Sequence, residues 1–367
     1  MLKFAHEYMT VLINQLSELT VESNTLLVTV DVKSLYTCIP HKEGIQVCAE
    51  ALKVSKTNNP DQPNTNTLIT LLEIVLKNNT FEFDGKSYIQ LQGTAMGTKL
   101  APAYANIFMG KLEHIILSSA PLKPSFYKRY IDDILILWPH SITELNNFIT
   151  ALNNYHPSIK FTYELNPDKI TFLDVNIYKG PNFTSTKKLE VETHIKPTNR
   201  QAYIHADSYH PPGTSKGVAI GEMKRYLRTN SRAESFYTFK SKHKLNLRKR
   251  GYSTHFINRY TNSVQFNNRH LTLKPKTITS KKKRLAFVTR FTPSAAKAMK
   301  VIRKFWPSLQ TTRGFRHKTI PSPMLTFKSN RNIKSYLVRA KLPSLDCHTT
   351  PLSSIEFPLN FSPNTIP

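Results

Sequence analysis

Two adjacent carboxylates stand inside an apolar, β-rich run, Arg129-Tyr130-Ile131-Asp132-Asp133-Ile134-Leu135-Ile136-Leu137-Trp138, where acids are not normally placed. The flanking residues are largely β-branched or aromatic, so the run reads as two short strands hinged on the acids, a hairpin whose tip presents carboxylates. Charges of one sign held this close repel unless a cation neutralises them. Alternation along a strand sends Asp132 and Asp133 to opposite faces unless the tight turn swings them together, and a third acid would complete a metal cradle. Leu26-Leu27-Val28-Thr29-Val30-Asp31 supplies one, a nearly continuous apolar run of the kind found in a buried central strand, with the carboxylate at its C-terminal edge. Asp31 and Asp132 could then hold two Mg²⁺ ions. A strand-end Asp can equally form a turn, and an Asp-Asp pair can be solvated turn chemistry.

A third segment, Gln92-Gly93-Thr94-Ala95-Met96-Gly97-Thr98, has two glycines and leads into an Ala-rich helix. Glycine lets backbone approach a ligand closely. Pro102 suits the first turn of that helix and Thr98 suits its N-cap, so loop and helix start could face a nucleotide or template strand. An ordinary strand-to-helix connection has the same composition.

In order and spacing these segments resemble the reverse transcriptases, and among them most closely the Penelope-like retroelement branch. Asp31-Val32-Lys33-Ser34-Leu35-Tyr36-Thr37-Cys38-Ile39-Pro40 is similar to the first palm motif of that branch, Gln92 through Phe108 to its second, and Tyr130-Ile131-Asp132-Asp133 to its third; together they cover roughly residues 20 to 180. The resemblance implies an α+β right-hand polymerase palm, an antiparallel sheet backed by helices, followed by a mostly helical basic thumb. It implies that Asp31 and Asp132 bridge two metals, with the Val32 carbonyl assisting and Asp133 a supporting acid, for in-line nucleotidyl transfer. Tyr36 falls where similar enzymes set an aromatic ring against the sugar, which would favour deoxynucleotides; from the residues alone it reads as a core aromatic. Backbone amides around Ser34, Leu35 and Tyr36, with Gln92 and Gly93, match positions that contact the incoming nucleotide and template. Lys33 and Lys99 are either phosphate neighbours or solvated lysines.

Ile170 to Tyr178 alternates as a further hairpin, similar to the strand pair that ends the palm and supports the primer, with Asp174 in a structural role. Lys160 or Lys169 just before it would protonate the pyrophosphate leaving group.

The charge is divided sharply. Of 51 Lys and Arg and 24 Asp and Glu, residues 1–200 hold 19 of each, whereas 201–367 hold 32 basic and 5 acidic residues. Such a surplus is the electrostatic footprint of a polyanion partner. Phe236 to Lys244 and Leu247 to Tyr252 interleave aromatics with cations, and Lys240, Lys242, Lys244, Arg248, Lys249 and Arg250 are expected to contact nucleic acid. Gly217 to Arg228 reads as an amphipathic helix. Ser231 to Arg250 reads as another, stopped by Gly251 and followed, after a Ser253 cap, by a short helix from His255: helix, tight turn, helix. Expected domains are therefore 1–200, partial fingers and palm; 201–290, the basic helical thumb; and 291–367, a basic extension with a Pro-rich, poorly ordered tail after Pro343.

Asn-rich Lys56 to Thr67 reads as a loop. Cys38, Cys48 and Cys347 show no paired spacing, and no cysteine pair or carboxylate cluster accompanies His205 and His210, so neither disulfides nor zinc are indicated and a reducing compartment is natural. No run of about 18 apolar residues exists and no secretory signal opens the chain. Lys281-Lys282-Lys283-Arg284 suits nuclear import or nucleic-acid binding. Only 30 residues precede Asp31, with Lys3 the sole Lys or Arg among them, so relative to similar enzymes the fingers segment reads as truncated; the Gly-Ile-Tyr and Tyr-Ile-Gly marks of a C-terminal nuclease do not occur. The expected activity is RNA-templated DNA synthesis from deoxynucleoside triphosphates on a primer. The alternative is a retroelement-derived protein that binds nucleic acid and polymerises nothing.

Overall fold

β1 (Leu26–Val32) is an inner strand of a four-stranded antiparallel sheet, and the rest of the first unit is arranged around it. The computed structural model describes residues 2–58, 61–274, 286–310 and 323–328, and the chain divides into two compact units, Met1–Thr279 and Ser280–Pro367.

Ahead of β1 lies α1 (Leu2–Glu18); after it come the short α2 (Leu35–Cys38), α3 (His41–Asn58), α4 (Thr65–Lys77), and a hairpin of β2 (Thr80–Phe83) and β3 (Lys86–Ile89). The loop expected over residues 56–67 is thus shorter than its Asn content suggests. Asn64 caps α4 by accepting from the Asn66 amide at 2.8 Å, and the Gln62 amide donates to the Leu52 carbonyl on α3 at 3.2 Å. α5 (Ala101–Ser119) carries Pro102 in its first turn, as expected; Leu100 is the N-cap, while the Thr98 hydroxyl accepts from the Ala101 amide at 3.2 Å.

β4 (Phe126–Tyr130) and β5 (Asp133–Trp138) form the acid-tipped hairpin, followed by α6 (Ile142–Tyr155), whose Ser141 and Glu144 make a reciprocal capping box. β6 (Phe161–Asn166) completes the sheet in the order β4-β5-β1-β6. β7 (Lys169–Phe172) and β8 (Val175–Tyr178) are the second hairpin expected from the sequence, joined through α7 (Phe183–Thr186) to β9 (Glu190–Thr193) in a three-stranded sheet.

Period-two alternation sorts β1 into two cores. Val28, Val30 and Val32, with Ile134, Ile136 and Trp138 of β5, pack on Tyr104, Phe108 and Leu112 of α5 and Phe148 of α6. Leu27, Leu135 and Leu137 face the other way, onto Met9, Leu12, Ile13 and Leu16 of α1 and Phe172 and Ile177 of the second sheet. Each such side chain contributes about 1.5–3 kcal/mol on burial. Both faces being covered explains why β1 reads as a continuous apolar run.

Three helices follow in the basic region: α8 (Pro212–Thr229), α9 (Ala233–Lys249) and α10 (Thr254–Thr261), and then α11 (Arg269–Leu273). Gly251 takes the left-handed φ of 82° that stops α9, and the Ser253 hydroxyl accepts from the Phe256 amide to start α10, as the sequence predicts. Asn230 and Ser231 fasten this region to β9: Asn230 Oδ1 accepts from the Thr193 amide at 3.1 Å, and Ser231 N donates to Val191 O at 2.8 Å.

The second unit, by itself, pairs β10 (Ala286–Arg290) in parallel with β11 (Met324–Lys328), with α12 (Pro293–Gln310) between them in sequence. The Lys281 to Arg284 cluster and the Pro-rich tail lie outside the described residues. Among the described residues no helix is long and apolar enough to cross a membrane.

Candidate nucleotidyl-transfer site

Strand pairing brings the distant acids together. Asp31 and Asp133 are direct register partners between β1 and β5, so their side chains emerge on one face of the sheet. Asp132 occupies the turn between β4 and β5, and its carbonyl accepts from the Val32 amide at 3.1 Å, which ties the turn to the end of β1. Ile131 makes the turn possible by adopting φ 60°, a costly left-handed conformation for a β-branched residue, of about 1–3 kcal/mol.

The electrostatics register the crowding. Burial, then the Asp132 charge, raise the Asp31 carboxyl above its ordinary range. Asp133 is pushed up to about 6 by burial first and then by Asp132 and Asp31, with Lys196 opposing. Burial followed by Asp132 also raises the Tyr36 and Tyr130 hydroxyls. Asp132 is therefore the common neighbour of Asp31, Asp133, Tyr36 and Tyr130. Asp31 and Asp133 line a depression of about 390 Å³ together with Thr162, Glu164, Phe172 and Leu173.

Among the described residues no three His, Cys, Asp or Glu side chains form a ready-made metal cage. The donors at hand are hard carboxylate oxygens whose mutual repulsion a cation would relieve. That suits Mg²⁺, which is commonly held by one or two carboxylates plus substrate phosphates rather than by an all-protein cage.

The glycine loop is bolted to the segment that follows Asp31. Gly93 N donates to Ile39 O at 2.9 Å, Thr94 N to Tyr36 O at 2.6 Å, and the Gln92 side-chain amide to Cys38 O at 2.6 Å. His41 Nε2 donates to Gly93 O at 2.7 Å. Gly93 sits at φ 77°, and a Cβ there would fall 2.2 Å from Tyr36 O, so only glycine fits. The predicted nucleotide contacts Ser34, Leu35, Tyr36, Gln92 and Gly93 are thus one patch. Within it Leu35 is a buried core side chain, leaving only its backbone for a ligand, and the Gln92 amide is already engaged. Lys33 and Lys99 are exposed.

A polar network that the sequence does not announce holds the acid turn. The Arg129 guanidinium donates to Ile131 O at 3.0 Å, to Glu113 Oε1 at 2.6 Å and to Asn106 Oδ1 at 2.7 Å, and Tyr127 also donates to Glu113 at 2.6 Å. Arg129 and Glu113 are 10% and 14% exposed, a nearly buried pair linking β4 to α5. Tyr8 of α1 packs its ring 4.9 Å from that of Tyr130, with its own buried hydroxyl unpartnered.

Neither candidate general acid hangs free over the acids. The Lys160 ammonium donates to Asn153 O at 2.6 Å and His156 O at 3.3 Å, and Lys169 pairs with Glu192 at 2.7 Å. Asp174, at the tip of β7–β8, is in a structural ion pair with Arg225 at 3.5 Å.

Of the six cations expected on nucleic acid, Lys242, Arg248 and Lys249 are exposed, and Lys244 reaches Asn258 and Asn262. Lys240 is a correction. Phe236, Lys240, His243 and Leu247 repeat at helical spacing on the buried face of α9, and the Lys240 ammonium, 7% exposed, donates to Val264 O at 3.2 Å. Arg250 likewise spends its Nε on Tyr203 O at 2.5 Å.

Among solved structures, telomerase from Candida albicans in complex with a fragment of telomeric RNA aligns with TM-score 0.50 at 10% identity, covering 86% of this chain and 52% of that one. The RNA-dependent RNA polymerase of a human picobirnavirus aligns with TM-score 0.44 at 11% identity, over 66% and 46%, and apo telomerase from Candida tropicalis with 0.37 at 16% identity, over 51% and 39%. The chain thus spans about half the length, or less, of these proteins. No sequence among the curated proteins matches it. The fold is a right-hand polymerase palm followed by a mostly helical basic region. The model for "Reverse transcriptase (RNA-dependent DNA polymerase)" matches residues 6–199, which include all three acids and the glycine loop, and the chain accordingly belongs to the reverse transcriptase family.

Proposed function

We propose that the chain is an RNA-directed DNA polymerase of a Penelope-like retroelement, extending a DNA primer on an RNA template. One observation carries this reading: Asp31 and Asp133 are paired across β1 and β5, with Asp132 at the turn between them and Tyr36 and the glycine loop alongside. Asp31 and Asp132, with the Val32 carbonyl, would hold Mg²⁺, and Asp133 would support them. Two ions bound there supply activation of the primer 3′-hydroxyl and neutralisation of the departing pyrophosphate. The protein contributes position. The backbone of Ser34, Leu35 and Tyr36 opens a short helix whose first amides lack intrahelical acceptors and would meet the triphosphate. The Tyr36 ring, beside Asp132, would stand against the sugar and disfavour a 2′-hydroxyl. The Phe172–Leu173 edge of the depression would bear on the primer end, and exposed Lys242, Arg248 and Lys249 on the duplex backbone.

The test is primer extension on a primed RNA template with Mg²⁺ and deoxynucleotides, comparing the natural chain with an Asp132→Ala, Asp133→Ala variant. The natural chain extends the primer and the variant only binds it. Equal binding without extension by either would leave a nucleic-acid-binding protein in place of the polymerase. In the same assay, Tyr36→Ala raises ribonucleotide incorporation; unchanged sugar selectivity would remove the gate.

A further inference from the structure

From residue 235 to residue 345 the chain has 27 Lys and Arg and not one Asp or Glu. The described residues of the second unit lie in this acid-free stretch and hold Arg290, Lys297, Lys300, Arg303, Lys304 and Lys328 with no carboxylate among them to pair with. Ahead of this stretch cations have carboxylates beside them, as Arg129 with Glu113 and Arg225 with Glu222 show.

The arrangement of these cations is specific. Lys297, Lys300 and Lys304 follow one another at three- and four-residue steps, so they form one exposed stripe along α12. Like charges at that spacing each cost a few tenths of a kcal/mol in an isolated helix. Arg290 and Lys328 are direct partners across β10 and β11, a second like-charge pair that disfavours the fold. A unit built this way carries repulsion that a polyanion would remove.

The apolar residues of α12 decide which polyanion. Ile302 and Trp306, four apart, are half-buried on the side away from the lysines. Val301 and Phe305 are 55% and 57% exposed beside the stripe, and the Lys304 ammonium lies 5.8 Å from the centre of the Phe305 ring. Among the described side chains of α12, Val301 and Phe305 are the only large apolar ones more than half exposed, too narrow a face for a helix lying in a bilayer surface, which needs a broad stripe sunk into the acyl boundary. A phosphate-binding stripe flanked by an exposed aromatic is the combination that grips single strands, where every base offers a face to stack on.

We propose that the second unit is a separate single-strand-binding surface, with Lys297, Lys300 and Lys304 on successive phosphates and Phe305 under a base. Its action does not depend on nucleotidyl transfer, so it can be tested in the full-length Asp132→Ala background, where the fate of the polymerase reading does not touch the result. The full chain is titrated with a mixed-sequence single-stranded RNA oligonucleotide, with the same RNA as a duplex, and with phosphatidylserine vesicles, each across a range of KCl. Lys297→Gln, Lys300→Gln, Lys304→Gln together lower the slope of log affinity against log salt for the single strand by about 2, three phosphates at roughly 0.7 each. The corresponding triple arginine variant keeps the slope, which separates charge from folding. Phe305→Ala weakens single-strand binding by roughly fivefold or more at unchanged slope and leaves duplex binding alone. An unaltered slope in the glutamine variant, a loss confined to vesicles, or an inert Phe305→Ala would each overturn the proposal.

Discussion

Two hairpin tips face each other across the acidic depression, and they are held in opposite ways. Each places an apolar residue in the left-handed region immediately before an aspartate: Ile131 (φ 60°) before Asp132, and Leu173 (φ 52°) before Asp174. The first is fixed from within the sheet, by Arg129 of its own strand clamped to Glu113 and Asn106 of α5 in nearly dry surroundings. The second is held from outside, by the 3.5 Å ion pair of a 59% exposed Asp174 with Arg225 on α8 and by His194 N donating to Asp174 O at 2.8 Å. Burial makes the Arg129 clamp strong; exposure makes the Arg225 contact weak and dependent on the docking of α8. The acid tip is thus fixed by its own strand and α5, and the other tip is held at its backbone by His194, next to β9, and at its side chain by the helical region.

The largest effect expected is from Arg129→Met, which strands Glu113 and releases the Ile131 carbonyl. Breaking a buried pair costs about 3–5 kcal/mol, so the denaturant midpoint falls steeply and primer extension is lost. Arg129→Lys does not rescue it, because one ammonium cannot make the forked contacts. Retained extension in Arg129→Met would show that the tip holds itself.

Arg225→Met comes next. It costs roughly 2 kcal/mol, less than a fully buried pair because Glu222 is 21% exposed. Extension then fails mainly through weaker primer engagement, read as a raised KM for primer-template with kcat largely kept. A drop in kcat alone would place Arg225 in the same role as Arg129 and erase the contrast.

A smaller effect is confined to the acid tip. Asp133 rises from 3.8 when unfolded to about 6 when folded, so the native state holds the extra proton between those values and stability declines as pH climbs through that window, then levels off. Thermal midpoints recorded from pH 3.5 to 7.5 in the absence of Mg²⁺ follow this decline, and Asp133→Asn flattens it. A midpoint rising with pH across the window in the natural chain, but not in Asp133→Asn, would reverse the sign. The smallest effect is Tyr8→Phe: the hydroxyl removed is buried without a partner, so the ring contact with Tyr130 remains and the midpoint stays level or rises slightly. A marked loss would reveal a bond the hydroxyl makes.

Local signals explain why so much of this was readable. The nearly continuous apolar run before Asp31 gave an inner strand, the acid pair gave a hairpin tip, and Gly251 with Ser253 gave the break between α9 and α10. What escaped depends on tertiary partners. Nothing near Arg129 in the chain marks Glu113 as its mate, because that contact exists only once α5 lies against β4. Lys240 misled for a related reason: amid so many cations it looked like one more surface charge, and only its phase with Phe236, His243 and Leu247 places it inside. Gln92 was placed in the right neighbourhood, yet its amide serves the Cys38 carbonyl, which no local pattern could reveal.

The bonds from Gly93 to Ile39, Thr94 to Tyr36 and Gln92 to Cys38 close a neck, so that the chain entering α3 and the chain leaving the β2–β3 hairpin run side by side, while Cys48, Leu72 and Leu76 seat α3 and α4 in the core. A change of length at the far end, where Thr80 to Phe83 are all exposed, is absorbed before it reaches the acids. One methyl group at the neck is not. Tolerance to insertion and intolerance to substitution are here properties of one excursion, the first at its exposed hairpin and the second at its closure.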